Sequence, residues 1–162
     1  MESIDLDVTL AFHNLTFYAG LWSNYEERFR EVPIVFDTGA TITAISPVIA
    51  VALGYQPDYD NVVEINSATQ AGVNAIPVII PNLKLKEVAL GPVYAYIINF
   101  PPEGNTFALL GLNVIQHFLT TIKFNRPKAE IKLEPMFDID NVESLDTYLS
   151  HSSRFGVWSA QK

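Results

Sequence analysis

The sequence predicts an all-β fold with one or two short helices. Its segments are short and rich in Val, Ile, Phe, Tyr and Thr, the residues that favour strands. Ten prolines and eight glycines separate these segments at frequent intervals. Hydrophobic residues make up 49% of the 162 residues and charged residues 17%, so the chain can bury a core, and its length fits a single domain.

Ten strands are predicted from the runs of apolar and β-branched residues between turn signals. They cover residues 7–12, 16–21, 32–37, 62–66, 74–80, 83–88, 93–99, 108–110, 120–125 and 130–134. The strands at 62–66 and 74–80 belong to one long hairpin-like section. The apolar runs at 33–36 and 108–110 suit strands that are buried on both faces.

Two helices interrupt the strand pattern. In "SPVIAVALGY", Ser46 is a candidate N-cap, Pro47 suits the first helical position and Gly54 suits the stop, which predicts a helix of about two turns. In "LNVIQHFL", residues 112–119, apolar side chains at spacings of three and four predict a second helix directly after Gly111.

The last part of the chain differs in composition. Residues 137–162 are more acidic and lack strand alternation, and a helix is predicted at 141–149. We therefore predict one domain over residues 1–134, with its motifs in 32–134, and a C-terminal extension of unknown role over residues 135–162.

Composition argues against several functions. The net charge of -8, with ten scattered Lys and Arg residues, disfavours a nucleic-acid partner. The absence of cysteine excludes disulfides and thiol nucleophiles, and three widely spaced histidines predict no metal site. The N-terminus lacks the features of a signal peptide and no run of about 18 apolar residues occurs, so we expect a soluble, cytoplasmic chain with no membrane partner.

One acidic residue follows a predicted buried strand and opens a turn of small residues. In "VFDTGATITAIS", residues 35–46, Asp37 ends the apolar run and precedes Thr38, Gly39, Ala40 and Thr41. A carboxylate in this position can accept hydrogen bonds from nearby backbone N–H groups in an Asx turn. It can also be a catalytic group. Asp-Thr-Gly alone does not decide between these interpretations, because matches to three residues are common.

Several ordered features resemble the retropepsin-like aspartic proteases, closest in pattern to their cellular and bacterial members. "FDTGAT" resembles the catalytic motif of that family, and "ALLGLNVI", about 70 residues later, resembles its second signature. "SPVIAVALGY" resembles the helix after the active-site turn, "INSATQAGVNAIPVIIPNLKL" the flap hairpin and "TTIKFNRPKAEIKL" the closing hairpin. The resemblance implies an acid-protease fold, closed and barrel-like, with a flap hairpin.

The activity of this family implies peptide-bond hydrolysis by two carboxylates that share one site. One carboxylate must deprotonate water while the other donates a proton, and two carboxyls about 3 Å apart cannot both ionise. The chain contains a single Asp-Thr-Gly. The second carboxylate would come from a second copy, so the resemblance implies a homodimer with Asp37 as the catalytic residue, a polypeptide substrate and no cofactor.

The resemblance also implies roles for the rest of the active-site turn. Thr38 would form hydrogen bonds across the dimer and brace the two turns. Gly39 would let the backbone approach the substrate and the catalytic water. Ala40 and Thr41 would line the cleft that binds the substrate.

Two further segments receive roles by the same resemblance. The flap at residues 68–75 would close over the substrate, with Ala71 and Gly72 as substrate-binding residues near its tip. Gly111 would let the second helix pack close beneath the active-site turn, which is a structural role.

Two other functions use the same residues. "DTGAT" also satisfies the phosphate-binding D-x-G-x-T motif of actin-like and sugar-kinase ATPases, but that fold needs more residues and further glycine-rich motifs than this chain has. A catalytically inactive module that keeps the protease fold for dimerisation or peptide binding is the second alternative. The intact Asp-Thr-Gly-Ala favours the protease, because a binding module does not need a carboxylate pair at its centre.

Overall fold

The computed structural model of the protein describes residues 3–11, 13–66 and 71–136. The described residues form twelve strands and two α-helices. The strands are β1 (Ile4–Ala11), β2 (Asn14–Ser23), β3 (Arg28–Phe36), β4 (Thr43–Ile45), β5 (Val63–Ile65), β6 (Val73–Ile80), β7 (Leu83–Leu85), β8 (Val88–Ala89), β9 (Val93–Ile97), β10 (Ala108–Leu110), β11 (Phe118–Asn125) and β12 (Lys128–Pro135). The helices are α1 (Pro47–Leu53) and α2 (Leu112–Ile115). The helix predicted at 141–149 lies outside the described residues.

The strands follow one hydrogen-bonded path in the order β11-β12-β1-β2-β3-β10-β4-β9-β6-β5. Beside this path, β7 pairs with β2 and β8. The prediction of an all-β fold with two short helices is confirmed. The closed barrel was not borne out, because the path of the described strands is open, with β11 at one end and β5 at the other.

The core is built by side chains that alternate along the strands. In β1, Ile4, Leu6 and Val8 are buried, whereas Asp5 and Asp7 are exposed. The facing strand β12 buries every second residue in the same way. Burying a side chain of this size stabilises the fold by about 1.5–3 kcal/mol, so the alternation determines which face of each strand is turned inward.

The prediction of the first helix is confirmed by α1. The Ser46 hydroxyl accepts a hydrogen bond from the Ile49 N–H, and Pro47 occupies the first helical turn. Gly54 ends the helix in the left-handed conformation with φ of 75°, which glycine adopts without steric cost. Neither α1 nor any other helix in the described part of the chain is long and apolar enough to cross a membrane.

The second helix is shorter than predicted. It ends at Ile115, and Phe118, which was assigned to it, begins β11 and pairs with Pro135 of β12. The apolar spacing over residues 112–119 therefore reflects burial on a short helix and then on a strand. From Phe118 onward the backbone makes its hydrogen bonds in the ladder with β12 and not in a continued helix, so pairing between strands overrides the local helical pattern.

Two strand predictions need correction. Strand β4 was not predicted, since three residues are too few to show alternation and all three are buried between β10 and β9. The single strand predicted at 83–88 is two strands, β7 and β8, joined by a turn in which Lys86 has a φ of 55°. This turn lets Leu85 pair with Val88.

Tyr55, the residue after the glycine that ends α1, should make folding stability fall above pH 10. Its hydroxyl donates to the Trp22 carbonyl oxygen at 2.8 Å, and burial raises the pKa of this hydroxyl well above its usual range. The unfolded chain loses the Tyr55 proton near pH 10 while the folded chain keeps it. The contribution of Tyr55 to the free energy of unfolding is therefore complete below pH 10. Above pH 10 it decreases by up to about 1.4 kcal/mol per pH unit.

Urea unfolding of the wild type and of Tyr55→Phe between pH 8 and pH 11 checks this expectation. Tyr55→Phe should be less stable at pH 8 because it lacks the hydrogen bond to Trp22, and the difference should shrink above pH 10. A difference that stays constant across this range would contradict the prediction.

Candidate active site

Asp37 directly follows the C-terminal end of strand β3. β3 is parallel to β10, with Phe36 opposite Leu110, and the Asp37 N–H continues this ladder by donating to the Leu110 carbonyl oxygen at 3.0 Å. Val32, Ile34 and Phe36 face the core. Because side chains alternate along a strand, Pro33 and Val35 lie on the opposite face from these three residues, and Asp37 follows directly after the end of β3.

The residues after Asp37 form a tight turn. The Gly39 N–H donates to Asp37 Oδ1 at 2.9 Å, and the Ala40 N–H approaches the Asp37 carbonyl oxygen at 3.3 Å. This is the Asx turn that the sequence allowed, and it orients the carboxylate relative to the backbone. Asp37 and Ala40 are half-buried, whereas Thr38, Gly39 and Thr41 are exposed. The turn therefore presents its tip to solvent.

A side chain at position 39 would crowd the carboxylate. A Cβ atom built on Gly39 would lie 3.2 Å from Asp37 Oδ1, which is closer than most real Cβ contacts. Glycine at this position thus lets the carboxylate oxygen approach the backbone N–H without competition from a side chain.

The second motif packs directly against this turn. β10 lies between β3, to which it is parallel, and β4, to which it is antiparallel. At its end the Leu112 N–H donates to the Ala40 carbonyl oxygen at 2.8 Å, and the Asn113 N–H donates to the Thr41 carbonyl oxygen at 3.0 Å. The two motifs, about 70 residues apart in sequence, are therefore joined by backbone hydrogen bonds.

Gly111 is placed where the backbone of the turn segment approaches most closely. A Cβ atom on Gly111 would lie 2.6 Å from the Ile42 carbonyl carbon and 2.7 Å from the Thr43 nitrogen. The φ of Gly111 is -100°, which any residue can adopt. The position therefore requires glycine because of space, and not because of its backbone conformation.

Sequence reasoning missed two buried polar residues at this contact, Thr43 and Asn113. Asn113 Oδ1 accepts from the Thr43 N–H at 2.8 Å and from Thr43 Oγ1 at 2.9 Å. Asn113 Nδ2 donates to the Tyr94 carbonyl oxygen, and the Gly111 N–H donates to Thr43 Oγ1 at 3.1 Å. An asparagine within the apolar run "LNVI" was the available signal, since a buried amide needs several hydrogen-bond partners.

The predicted flap is a β-hairpin formed by β5 and β6. Val63 is opposite Ala75, and Ile65 is opposite Val73. Gly72 has a φ of 69°, and its N–H donates to Asn66 Oδ1 at 3.0 Å. Part of the predicted flap, residues 68–70, lies outside the described residues. Among the described ones, Ala71 and Gly72 belong to this separate hairpin, whereas the structure groups residues 38–41 and Gly111 around Asp37.

A pocket of about 220 Å³ opens beside β3, and its lining includes neither Asp37 nor the turn that follows it. Pro33 and Val35, four and two residues before Asp37, form one wall, and Phe107 and Ala108 form another. The remaining lining residues are Ala11, Asn14, Thr16, Gly104, Asn105 and Thr106, so no lining side chain is charged. A larger pocket of about 610 Å³ lies away from Asp37, among charged residues of β1, β11 and β12.

Comparison with known families gives one match. The family model described as "gag-polyprotein putative aspartyl protease" matches residues 29–117, more than half of the chain. The matched region includes both Asp37 and Gly111. No curated protein matches the chain.

Two solved structures illustrate the structural similarity. A retropepsin-like aspartic protease from Rickettsia conorii is 13% identical, with a TM-score of 0.55, and the match covers 81% of this chain and 92% of that one. Basic 7S globulin from soybean is 11% identical, with a TM-score of 0.44, over 86% of this chain and 52% of that one. At such low identity the Rickettsia structure supports the fold alone.

Proposed function

The chain belongs to the gag-polyprotein aspartyl protease family, which is retropepsin-like, and on that premise we propose that it is an aspartic endopeptidase that acts as a homodimer. The observation that carries the proposal is the placement of Asp37. Its carboxylate is oriented by the Gly39 N–H at the end of a buried strand, and the tip of its turn is exposed. A second copy can therefore approach this turn and supply the second carboxylate.

In the proposed dimer, Asp37 and Asp37 of the partner subunit hold one water molecule between them. The ionised carboxylate takes a proton from the water, and the water oxygen bonds to the carbonyl carbon of the peptide. At the same time the protonated carboxyl gives its proton to the carbonyl oxygen. The tetrahedral intermediate then collapses and the C–N bond breaks. The amide nitrogen receives the proton that the first carboxylate took from water, and a hydroxyl proton of the intermediate returns to the second carboxylate. Two carboxyls are required, because one group must be a base when the other is an acid.

The proposal assigns supporting roles to the neighbouring residues. Thr38 braces the two turns across the dimer, and Ala40 and Thr41 line the substrate cleft. The hairpin of β5 and β6, with Ala71 and Gly72 at its tip, closes over an extended peptide and excludes water. The peptidase domain comprises residues 1–134 in this proposal, and cytoplasmic location stays a prediction from the sequence.

We expect the pocket beside β3 to receive a substrate side chain, and that side chain should be uncharged. No residue that lines the pocket is charged, so a charged side chain that entered it would lose water without gaining a counter-charge. Its volume of about 220 Å³ is enough for an aromatic or branched aliphatic side chain, since a dry cavity of about 150 Å³ accepts benzene. We therefore expect cleavage next to such residues.

Thr16→Asp should change this preference. The new carboxylate would lie in the pocket wall and attract a basic side chain, so cleavage of peptides with Lys or Arg at the pocket position should rise at least about tenfold relative to Leu or Phe. Thr121→Asp, which adds the same charge on β11 outside this pocket, is the matched control. An equal change in both variants would contradict the assignment of the pocket.

Digestion of a peptide library between pH 3 and pH 8, with the oligomeric state measured by sedimentation under the same conditions, tests the proposed function. We expect defined cleavage sites and a dimer. A protein that cleaves peptides while monomeric at its working concentration would overturn the proposed mechanism, because one Asp37 cannot be both acid and base.

An inactive module that keeps this fold is the second candidate function. The observation that favours it is the Asx turn itself, since the bond from Gly39 already gives the Asp37 carboxylate a structural role within one chain. The two candidates differ in what they expect of Asp37→Asn. The peptidase should lose its activity, whereas peptide binding or dimerisation by the module should be unchanged.

A further inference from the structure

Thr43 and Asn113 form a buried polar pair beneath the Asp37 turn. Thr43 is 0% exposed and Asn113 is 5% exposed, and their apolar chain neighbours Ala44 and Val114 are buried as well. The pair joins the segment that leaves the turn to the first residues of α2, which are 70 positions away in sequence. Buried polar groups in such a position stabilise one arrangement of the backbone over others, because any shift leaves them unpaired.

The pair is itself held from a third element. Asn113 Nδ2 donates to the Tyr94 carbonyl oxygen of β9 at 2.8 Å, while Asn113 Oδ1 accepts both bonds from Thr43. β9 is also the parallel partner of β4, which contains Thr43. Asn113 is therefore oriented by the sheet, and it transmits that orientation to the start of β4.

The same two residues join the end of the turn to the second motif. The Asn113 N–H holds the Thr41 carbonyl oxygen, and the Thr43 hydroxyl accepts from the Gly111 N–H. Residues 38–42 belong to no strand or helix, so the turn is positioned by the hydrogen bonds that hold it, including the bond from the Leu112 N–H to the Ala40 carbonyl oxygen. At its start, Asp37 is held by β10 through Leu110, and at its end it is held by the Thr43–Asn113 pair.

We infer that Thr43 and Asn113 are positioning residues for Asp37, an inference that rests on the proposed peptidase function. Both side chains are buried, so the inference assigns them no contact with the substrate. They fix the position and orientation of the Asp37 turn, so that the Asp37 carboxylate can share one water molecule with Asp37 of the partner subunit. A displacement of about 1 Å at a catalytic group can reduce the rate about a hundredfold, so loss of the pair should reduce kcat while substrate binding stays the same.

Two substitutions at position 43 separate the hydroxyl from the packing. Thr43→Val keeps the shape and removes Oγ1, which deprives Asn113 of a donor and the Gly111 N–H of its acceptor. Thr43→Ser keeps Oγ1 and removes only a methyl group. We expect kcat to fall about 10- to 100-fold in Thr43→Val with KM unchanged. The kcat of Thr43→Ser should lie within about threefold of the wild-type value.

Tyr55→Phe is the matched control, since it also removes one buried hydroxyl that makes a hydrogen bond, at a site outside the turn. Its kcat should equal that of the wild type. Thr43→Ala, which lacks the hydroxyl and adds no second methyl group next to Asn113, is measured in parallel in case Thr43→Val does not fold. Unchanged kcat per folded dimer in the variant without the hydroxyl would overturn the inference.

Hydrogen exchange of the backbone amides provides a readout that does not depend on activity. Without the Thr43 hydroxyl, the amides of residues 37–41 should exchange at least about tenfold faster, while those in the ladder between β1 and β12 should be unchanged. If the wild type cleaves no peptide, the proposed function fails, and the exchange rates alone decide the positioning role. Equal exchange of residues 37–41 in wild type and variant would then overturn it.

Discussion

Replacing Asp37 with Asn should reduce peptide hydrolysis by at least about a thousandfold, because general acid and general base contributions of about 10²- to 10⁴-fold are both lost. In a homodimer a single substitution removes both carboxylates at once. Asn has the same shape, and its Oδ1 can still accept the hydrogen bond from the Gly39 N–H. The fold and the dimer should therefore persist. Steady-state cleavage rates, with unfolding and sedimentation of the same samples, check this expectation.

Mixing the two proteins tests whether both carboxylates belong to one site. When wild type and Asp37→Asn are mixed in equal amounts and allowed to exchange subunits, about one quarter of the dimers are wild type in both subunits. The rate should then fall to about a quarter of that of the same total amount of wild type. A rate of one half would indicate that each chain carries a complete site, and would contradict the shared dyad.

Gly111→Ala should destabilise the protein by about 3 kcal/mol or more, since overpacking against backbone cannot be relieved by a side-chain rotation. The added Cβ would approach the Ile42 carbonyl carbon to 2.6 Å and the Thr43 nitrogen to 2.7 Å. Either α2 or the segment after the Asp37 turn must move. Urea unfolding at neutral pH measures the loss of stability, and peptide cleavage should decrease in the fraction that remains folded.

Gly104→Ala is the matched control for this substitution. The nearest atom to a Cβ at Gly104 is Thr106 Oγ1 at 3.8 Å, which is an ordinary van der Waals distance. Its free energy of unfolding should stay within about 0.5 kcal/mol of the wild type. If Gly111→Ala were as mild as Gly104→Ala, the close contact between the second motif and the turn segment would be wrong.

Features that depend on a few neighbouring residues could be predicted from the sequence. The limits of α1 follow from Ser46, Pro47 and Gly54, each of which acts on the backbone next to it. The all-β class follows from composition and the frequency of turn residues. The family was identified from two short motifs in the right order, and the match over residues 29–117 includes both. The assignment of Asp37 as the catalytic residue stays a prediction until its substitution is measured.

Features that depend on pairing between distant segments could not be predicted. β4 has three residues and no pattern of its own, and it exists because β10 and β9 offer hydrogen bonds on both of its edges. The second helix ends at Ile115 because Phe118 pairs with Pro135 of β12 and begins β11. The open path of the sheet likewise depends on which strands meet in space, and no local signal in the chain encodes this.

The sequence by itself therefore determined the fold class, the first helix and an acidic turn that resembles half of an active site. The tertiary structure decided how that turn is held. Thr43 and Asn113 are 70 residues apart, and although an asparagine in an apolar run suggests a buried amide, no local pattern identifies Thr43 as its partner. The polar groups of Thr43 and Asn113 come together because β10 passes between β3 and β4. Both side chains are buried there, and each supplies hydrogen bonds that the other would otherwise lack.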